Sequence, residues 1–200
     1  MKYLTKFTLL LIVGLTAASC SNKFYEADEF ESLKRKHQTV AVLPASIDIV
    51  KGARKSASGD MKNASIDMAY TYQEMLSKKL MERSDNYSVT IQDPKKVNKK
   101  LEEEYVSYFN INKIDVNKIG NILRNEAVLY TEIETPILLG KNPGSDNKEK
   151  IKVKVALHET NQDVLLWSYT DEYKASKIYT IEAIADEVMG NIERKFPYKE

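Results

Sequence analysis

The chain has 200 residues, 42% of them hydrophobic and 30% charged, with a formal net charge of +1. That length and balance suit one globular domain able to bury its own core without disulfides. Lys and Glu alternate along every segment, which excludes the concentrated basic face that nucleic acid requires.

Met1 to Cys20 divides into a basic tip (Lys2, Lys6), an apolar stretch from Phe7 to Leu15, and the small residues Thr16, Ala17, Ala18 and Ser19. This order is that of an export signal. The apolar stretch falls well short of the roughly 20 residues that span a bilayer, so a permanent membrane helix is the weaker alternative. Cys20 is the only cysteine, and lipidation accounts for it. The thiol takes a diacylglyceryl group through a thioether, and the freed amino group takes a further chain such as palmitate. At about 0.8 kcal/mol per buried methylene, two or three chains hold firmly where one does not. The competing reading is a plain secretory signal cut near Ala18, because Leu15 lies five residues before the cysteine rather than three. Ser21 in place of an aspartate points, by analogy with lipoprotein sorting, to the periplasmic face of the outer membrane.

Ser21 to Tyr25 reads as a tether, and Glu26 to His37 as a short helix through Phe30 and Leu33. Residues 1–19 are thus signal, 20–38 anchor, tether and helix, and 39–200 a single domain. Thr39 to Pro44 is a compact apolar run ended by proline, read as the first and most central strand. Ala45 to Val50 continues extended, and Lys51 to Asp60, polar and carrying Gly52 and Gly59, is a loop. From Lys62 to Glu82, Met68, Tyr72, Met75, Leu76 and Leu80 follow the period of a helix packed on a core.

Tyr87 to Gln92 reads as a strand. Asp93 and Pro94 form a cap and first turn, opening a helix through Val97 and Leu101. Glu102, Glu103 and Glu104 form its solvated end, since consecutive residues do not share a helix face. Asp115 caps a helix carrying Val116, Ile119, Ile122 and Leu123. Ala127 to Leu139 is a long strand interrupted at Pro136, and Asn142 to Asp146 a turn-rich loop. Ile151, Val153, Val155 and Leu157 alternate with lysines, giving a strand with one wet face on which His158 falls. Thr160 to Asp163 turns into a strand from Val164 to Glu172, and Ile178 to Phe196 forms a closing amphipathic helix stopped by Pro197. Early strand–helix–strand units imply parallel pairing and the closing meander antiparallel pairing. The fold class is therefore α/β, a mixed sheet flanked by helices.

His37 and His158 are the only histidines and lie in unrelated elements. The chain carries no HExxH, GxSxG or phosphate loop, so no catalytic residue, metal ligand or cofactor is assigned and an enzyme is not expected. Trp167, the single tryptophan, with Tyr169 beside it, reads either as a core anchor or as a hot spot for a protein partner.

The lipidated amino terminus, the strand Val40 to Pro44, the Asp93–Pro94 step, the strand Ala127 to Tyr130 and the hairpin Leu157 to Trp167 together resemble a known group. It is the periplasmic lipoproteins similar in fold to the amino-terminal domain of TolB, whose relatives include the LpoB-type activators of peptidoglycan synthases and the curli-export lipoprotein. The resemblance covers most of Thr39 to Pro197. It departs at Asn125–Glu126, where the group often has an aspartate before alanine, and at Asn161–Gln162, where it often has Thr-Gly. It carries over no functional residue. It implies a non-enzymatic module, anchored to the membrane, that binds a protein partner in envelope assembly or transport. Two alternatives are a surface hydrolase or carbohydrate-active enzyme, and an oligomeric export component, for which the polar stretch Lys51 to Asp60 is too short to build a barrel.

Overall fold

The computed structural model describes residues 24–49 and 59–200. The signal, Cys20 and most of the loop expected at Lys51 to Asp60 lie outside these residues. Seven strands form one sheet: β1 (Phe24–Glu26), β2 (Thr39–Val42), β3 (Ser46–Ile49), β4 (Thr90–Ile91), β5 (Ala127–Thr135), β6 (Lys150–Glu159) and β7 (Val164–Lys174). Among the described residues five helices accompany it: α1 (Phe30–Lys34), α2 (Gly59–Met81), α3 (Pro94–Glu103), α4 (Val116–Leu123) and α5 (Ile181–Ile192).

The strand order is β1-β7-β6-β5-β2-β4, with β3 paired to β5 beyond the end of β2. Parallel pairing joins β2 to β4 and β5, and β3 to β5, while β5, β6 and β7 form an antiparallel meander. The mixed sheet expected from the sequence is the sheet observed. The place given to Thr39–Pro44 is corrected: β2 lies second from an edge. The long meander strands hold the centre, and β6 between them pairs on both sides along most of its length.

Sheet parity divides the core in two. On one face Val42, Leu129, Ile133, Val155, Leu157, Trp167 and Tyr173 meet Tyr72, Leu76 and Leu80 of α2 and Ile184, Val188 and Ile192 of α5. On the other, Ala41, Leu43 and Val128 meet Val97 and Leu101 of α3 and Ile119 and Leu123 of α4. Gln73 of α2 is fully buried, and its side-chain amide donates to the Val42 carbonyl (2.8 Å) and to Asn98 Oδ1 of α3 (3.0 Å). That pairing satisfies a polar group which would otherwise be costly to bury.

Local chemistry sets the element ends. Asp93 Oδ1 accepts the backbone N–H groups of Lys95 and Lys96, and Asp115 Oδ1 that of Asn117, the two caps anticipated from sequence. Thr180 Oγ1 accepts the Ala183 N–H, so α5 opens at Ile181 rather than Ile178, and it closes at Ile192 rather than Phe196. β5 stops at Thr135, whose hydroxyl bonds both backbone groups of Ile137 around Pro136. α2 begins at Gly59, inside the expected loop. The strand expected over Tyr87–Gln92 reduces to Thr90–Ile91, because Ser84–Asn86 winds into a 3₁₀ turn and Tyr87 bridges to Lys199 instead.

The largest correction concerns the amino-terminal boundary. Phe24–Glu26 is not tether but an edge strand antiparallel to β7, with Phe24 opposite Tyr169 and Glu26 opposite Trp167. Phe30 and Leu33 of the five-residue α1 are buried in the main core. The folded body therefore includes β1 and α1, ahead of the boundary expected at residue 39. Among the described residues, no helix is long and apolar enough to cross a membrane.

Candidate functional site

Of the residues singled out from sequence, Cys20 lies outside the described residues. Trp167 and Tyr169 are both in the core, Trp167 fully buried and Tyr169 4% exposed. The hot-spot reading of this pair is corrected, because both side chains point to the helix-covered face. The Phe24 ring also lies edge-on to Trp167, with centroids 6.3 Å apart. The Tyr169 hydroxyl donates to Asp171 Oδ2 at 2.6 Å. Burial, then the bond to Asp171, pushes this phenol above its ordinary range.

The opposite face is built differently. Beyond Val128, where α3 and α4 cover the sheet, register places Tyr130 opposite Ala156, Glu132 opposite Lys154 and Glu134 opposite Lys152. The two charge pairs lie at 3.7 and 3.8 Å, and all four side chains are at least 40% exposed. Such pairs contribute little to stability and leave their charges available to a ligand.

A groove of about 260 Å³ opens beside them, walled by Ile111, Ile114 and Val116 and floored by Tyr130, Lys154 and His158. The His158 ring sits edge-on to Tyr130 at 5.4 Å. His158 Nδ1 is buried with no hydrogen-bond partner among the described residues. Burial lowers the His158 pKa, with Asp163 opposing. Burial raises that of Tyr130, with Asp163 and Asp115 adding to it. Around neutral pH the groove therefore offers an uncharged imidazole and a phenol beside the Glu132–Lys154 pair, over an apolar wall. That set suits amphipathic contact better than proton transfer. The wet face expected for His158 is thus half-covered, because the segment before α4 folds down beside it.

A second polar cluster closes the other end of the sheet. Glu126 Oε2 accepts the backbone N–H groups of Gln38 (3.2 Å) and Thr39 (3.0 Å) and the Thr39 hydroxyl (3.1 Å). Burial alone would raise the Glu126 pKa, but these donors hold it below the usual carboxylate range. Glu159 Oε1 and Oε2 accept Asn161 Nδ2 and the Gln162 N–H, fixing the β6–β7 turn. His37, 5% exposed, joins the Tyr198 hydroxyl. This cluster stiffens turns and ties down the carboxyl terminus. Its histidine gave no signal in the sequence because its partner lies at the far end of the chain. Among the described residues, no group of three or more His, Cys, Asp or Glu side chains is placed to hold a metal.

A mixed sheet with a parallel half, an antiparallel meander, helices on both faces and one polar, open patch defines an α/β body. It is similar in fold to lipoprotein GNA1162 from Neisseria meningitidis, at 12% identity and a TM-score of 0.50, over 80% of this chain and 97% of that one. PelC from Paraburkholderia phytofirmans, solved as a dodecamer, matches at 12% identity and TM-score 0.46 over 82% of this chain and 91% of its own. The LpoB C-terminal domain from Salmonella enterica matches at 11% and 0.39 over 72% and 95%. No family model matches the chain, and no curated protein sequence does. The α/β fold expected from the sequence therefore has a counterpart in the fold of GNA1162.

Proposed function

We propose that this chain is a lipid-anchored protein of the bacterial cell envelope, held through Cys20 at the periplasmic face of the outer membrane. Its α/β body binds a protein partner in envelope assembly or transport and performs no chemistry of its own. The observation that carries this reading is the likeness of fold over 97% of lipoprotein GNA1162. It joins an export signal that ends at the chain's only cysteine. The groove of Tyr130, Lys154 and His158 supports a binding role, since an apolar wall, phenol, imidazole and the exposed Glu132–Lys154 pair are the mixture of a protein-contact surface.

The test has two arms. Cells fed a labelled fatty acid should mark the protein, and Cys20→Ser should abolish the mark and release the protein from the membrane fraction. Crosslinking in intact envelopes should recover one specific partner, and Tyr130→Ala with Lys154→Glu should reduce that recovery at least tenfold. An unmarked protein would end the anchored reading. A partner recovered equally by the groove variant would move the contact elsewhere.

A further inference from the structure

We infer that Tyr105 is an anchor for a protein partner: its ring enters an apolar socket on that partner, and lysine or arginine residues rim the socket. This rests on the protein-binding role proposed for the neighbouring groove and adds the chemistry of the surface that meets it.

Backbone conformation gives the first sign. Three non-glycine residues among the described ones have positive φ: Tyr105, Arg124 and Asp163. Aspartate tolerates the left-handed region, and Arg124 sets a cation at the carboxyl end of α4, where the helix dipole favours one. Neither reason applies to Tyr105, a bulky side chain just past α3 at a position that glycine usually fills. Strain of this kind persists only where the surrounding structure imposes it, and it collects at ligand contacts.

The fold gains little from the ring. Tyr105 is 89% exposed, the highest figure for a large hydrophobic side chain among the described residues. The chain around it is nonetheless fixed. Val106 and Ile111 are buried in the core under α3 and α4. Asn110 Oδ1 accepts the Ser107 N–H at 2.7 Å, Asn110 Nδ2 donates to the Tyr105 carbonyl at 2.9 Å, and the Tyr108 hydroxyl accepts the Ile47 N–H. A large ring on a rigid support loses little freedom on binding, and tyrosine is enriched among the residues that dominate protein interfaces.

Position and charge select the partner. The loop is tied to β3 at Ser46 and Ile47, level with Glu132 and Ile133, whereas β5, β6 and β7 run past that level to Thr135, Lys150 and Lys174. Tyr105 thus belongs to the flank of the body, which suits a protein with relief of its own better than a flat lipid surface. Ile111, at the far end of the same loop, is also a wall of the groove, so ring and groove form one continuous contact surface. Glu102, Glu103 and Glu104 precede the ring and are all exposed. Lys99 reaches Glu103 at 3.9 Å, while Glu102 and Glu104 have no ion pair among the described residues. Two uncompensated carboxylates beside the ring favour cations on the facing rim and penalise an acidic partner.

The test uses the full lipidated chain in intact envelopes, with a photo-crosslinking benzoylphenylalanine replacing Tyr105, Ser107, Glu132 or Glu187 in separate samples. Ser107 adjoins the ring, Glu132 lines the groove, and Glu187, exposed on α5 across the sheet, is the control. Peptide mass spectrometry identifies what each position captures. Positions 105, 107 and 132 should capture one and the same protein, and the peptide joined to 105 should carry apolar residues flanked by lysine or arginine. With the crosslinker at 107, Tyr105→Gly should cut capture by about tenfold or more, the effect of removing an interface anchor, even though it relieves the strained backbone. Glu102→Gln with Glu104→Gln should cut it several-fold, and unchanged capture in that pair overturns the basic rim. Capture at 132 but not at 105 or 107, capture at 107 that survives Tyr105→Gly, or an acidic captured peptide overturns the anchor and leaves the groove reading standing. Phospholipid joined at 105 in place of a peptide assigns the ring to the membrane and overturns the anchor as well. No protein captured at 105, 107 or 132 beyond the level at 187 overturns the protein-binding reading and the anchor together.

Discussion

The Nδ1 atom of His37 lies 2.5 Å from the Tyr198 hydroxyl, joining two residues 161 positions apart. Tyr198 is fully buried, its ring edge-on to Phe30 and Phe196, and its carbonyl accepts the Ser88 N–H. His37 and Phe30 thus close the early chain onto Tyr198 near its end.

Acid should loosen that closure. Burial lowers the His37 pKa, while Glu159 and Glu126 oppose it only in part. The unfolded chain then takes up its proton at higher pH than the native one. Stability is full above the ordinary histidine value of 6.5 and is lost as pH falls below it through the native pKa. His158, lowered by burial as well, adds to the same trend. Urea midpoints between pH 7.5 and 5 should fall steadily in the parent protein. His37→Gln should flatten the profile, and an unchanged slope in that variant would place the titration elsewhere.

Gly120→Ala should be costly. A Cβ there would overlap the Thr160 side chain, standing 2.6 Å from its hydroxyl, which donates to the Asn125 carbonyl and so ties the β6–β7 turn to the α4–β5 connection. Overpacking of this kind costs about 1–3 kcal/mol. Equilibrium urea unfolding that registered less than about 0.5 kcal/mol, the range of an ordinary surface change, would refute the close approach.

Tyr105→Gly should stabilise the fold. After α3, the Val106 N–H bonds the Leu101 carbonyl, and Tyr105, at φ 56°, occupies the left-handed position that glycine fills in most such helix ends. An L-residue there costs about 1–2 kcal/mol, and an 89%-exposed ring recovers little of it by packing. A gain of about 1 kcal/mol is expected after the added freedom of glycine in the unfolded chain is counted. A loss of stability would show that the ring packs on the body in solution.

Asp93→Ala and Asp115→Ala should each cost about 1 kcal/mol by removing a helix cap. Asp93 should cost more, because it accepts two backbone N–H groups and Asp115 one. Thermal unfolding of the two single variants and the double checks the order. It also checks additivity, since the two caps open different helices.

Much of this architecture was legible in the residues. The two aspartate caps, the alternation from Ile151 to Leu157 and the stripe from Met68 to Leu80 are local signals, each read within one element. β1 was not legible, because all three of its residues are exposed and its pairing is supplied entirely by β7. Trp167 allowed two readings until register with Leu157 set which face it occupies. Strand parity set His158 on the face away from Leu157, but only the folding back of Ile111–Val116 makes a groove beside it. The left-handed Tyr105 gave no cue, since the usual cue for that conformation is the glycine it replaces.

The sheet's outermost members are three residues long on one side and two on the other. Short borders of this sort offer a neighbouring molecule almost no ladder to extend. For a chain held by the anchor proposed above, borders this short limit edge-to-edge zipping of copies, so that crowding brings surfaces, not backbones, into contact.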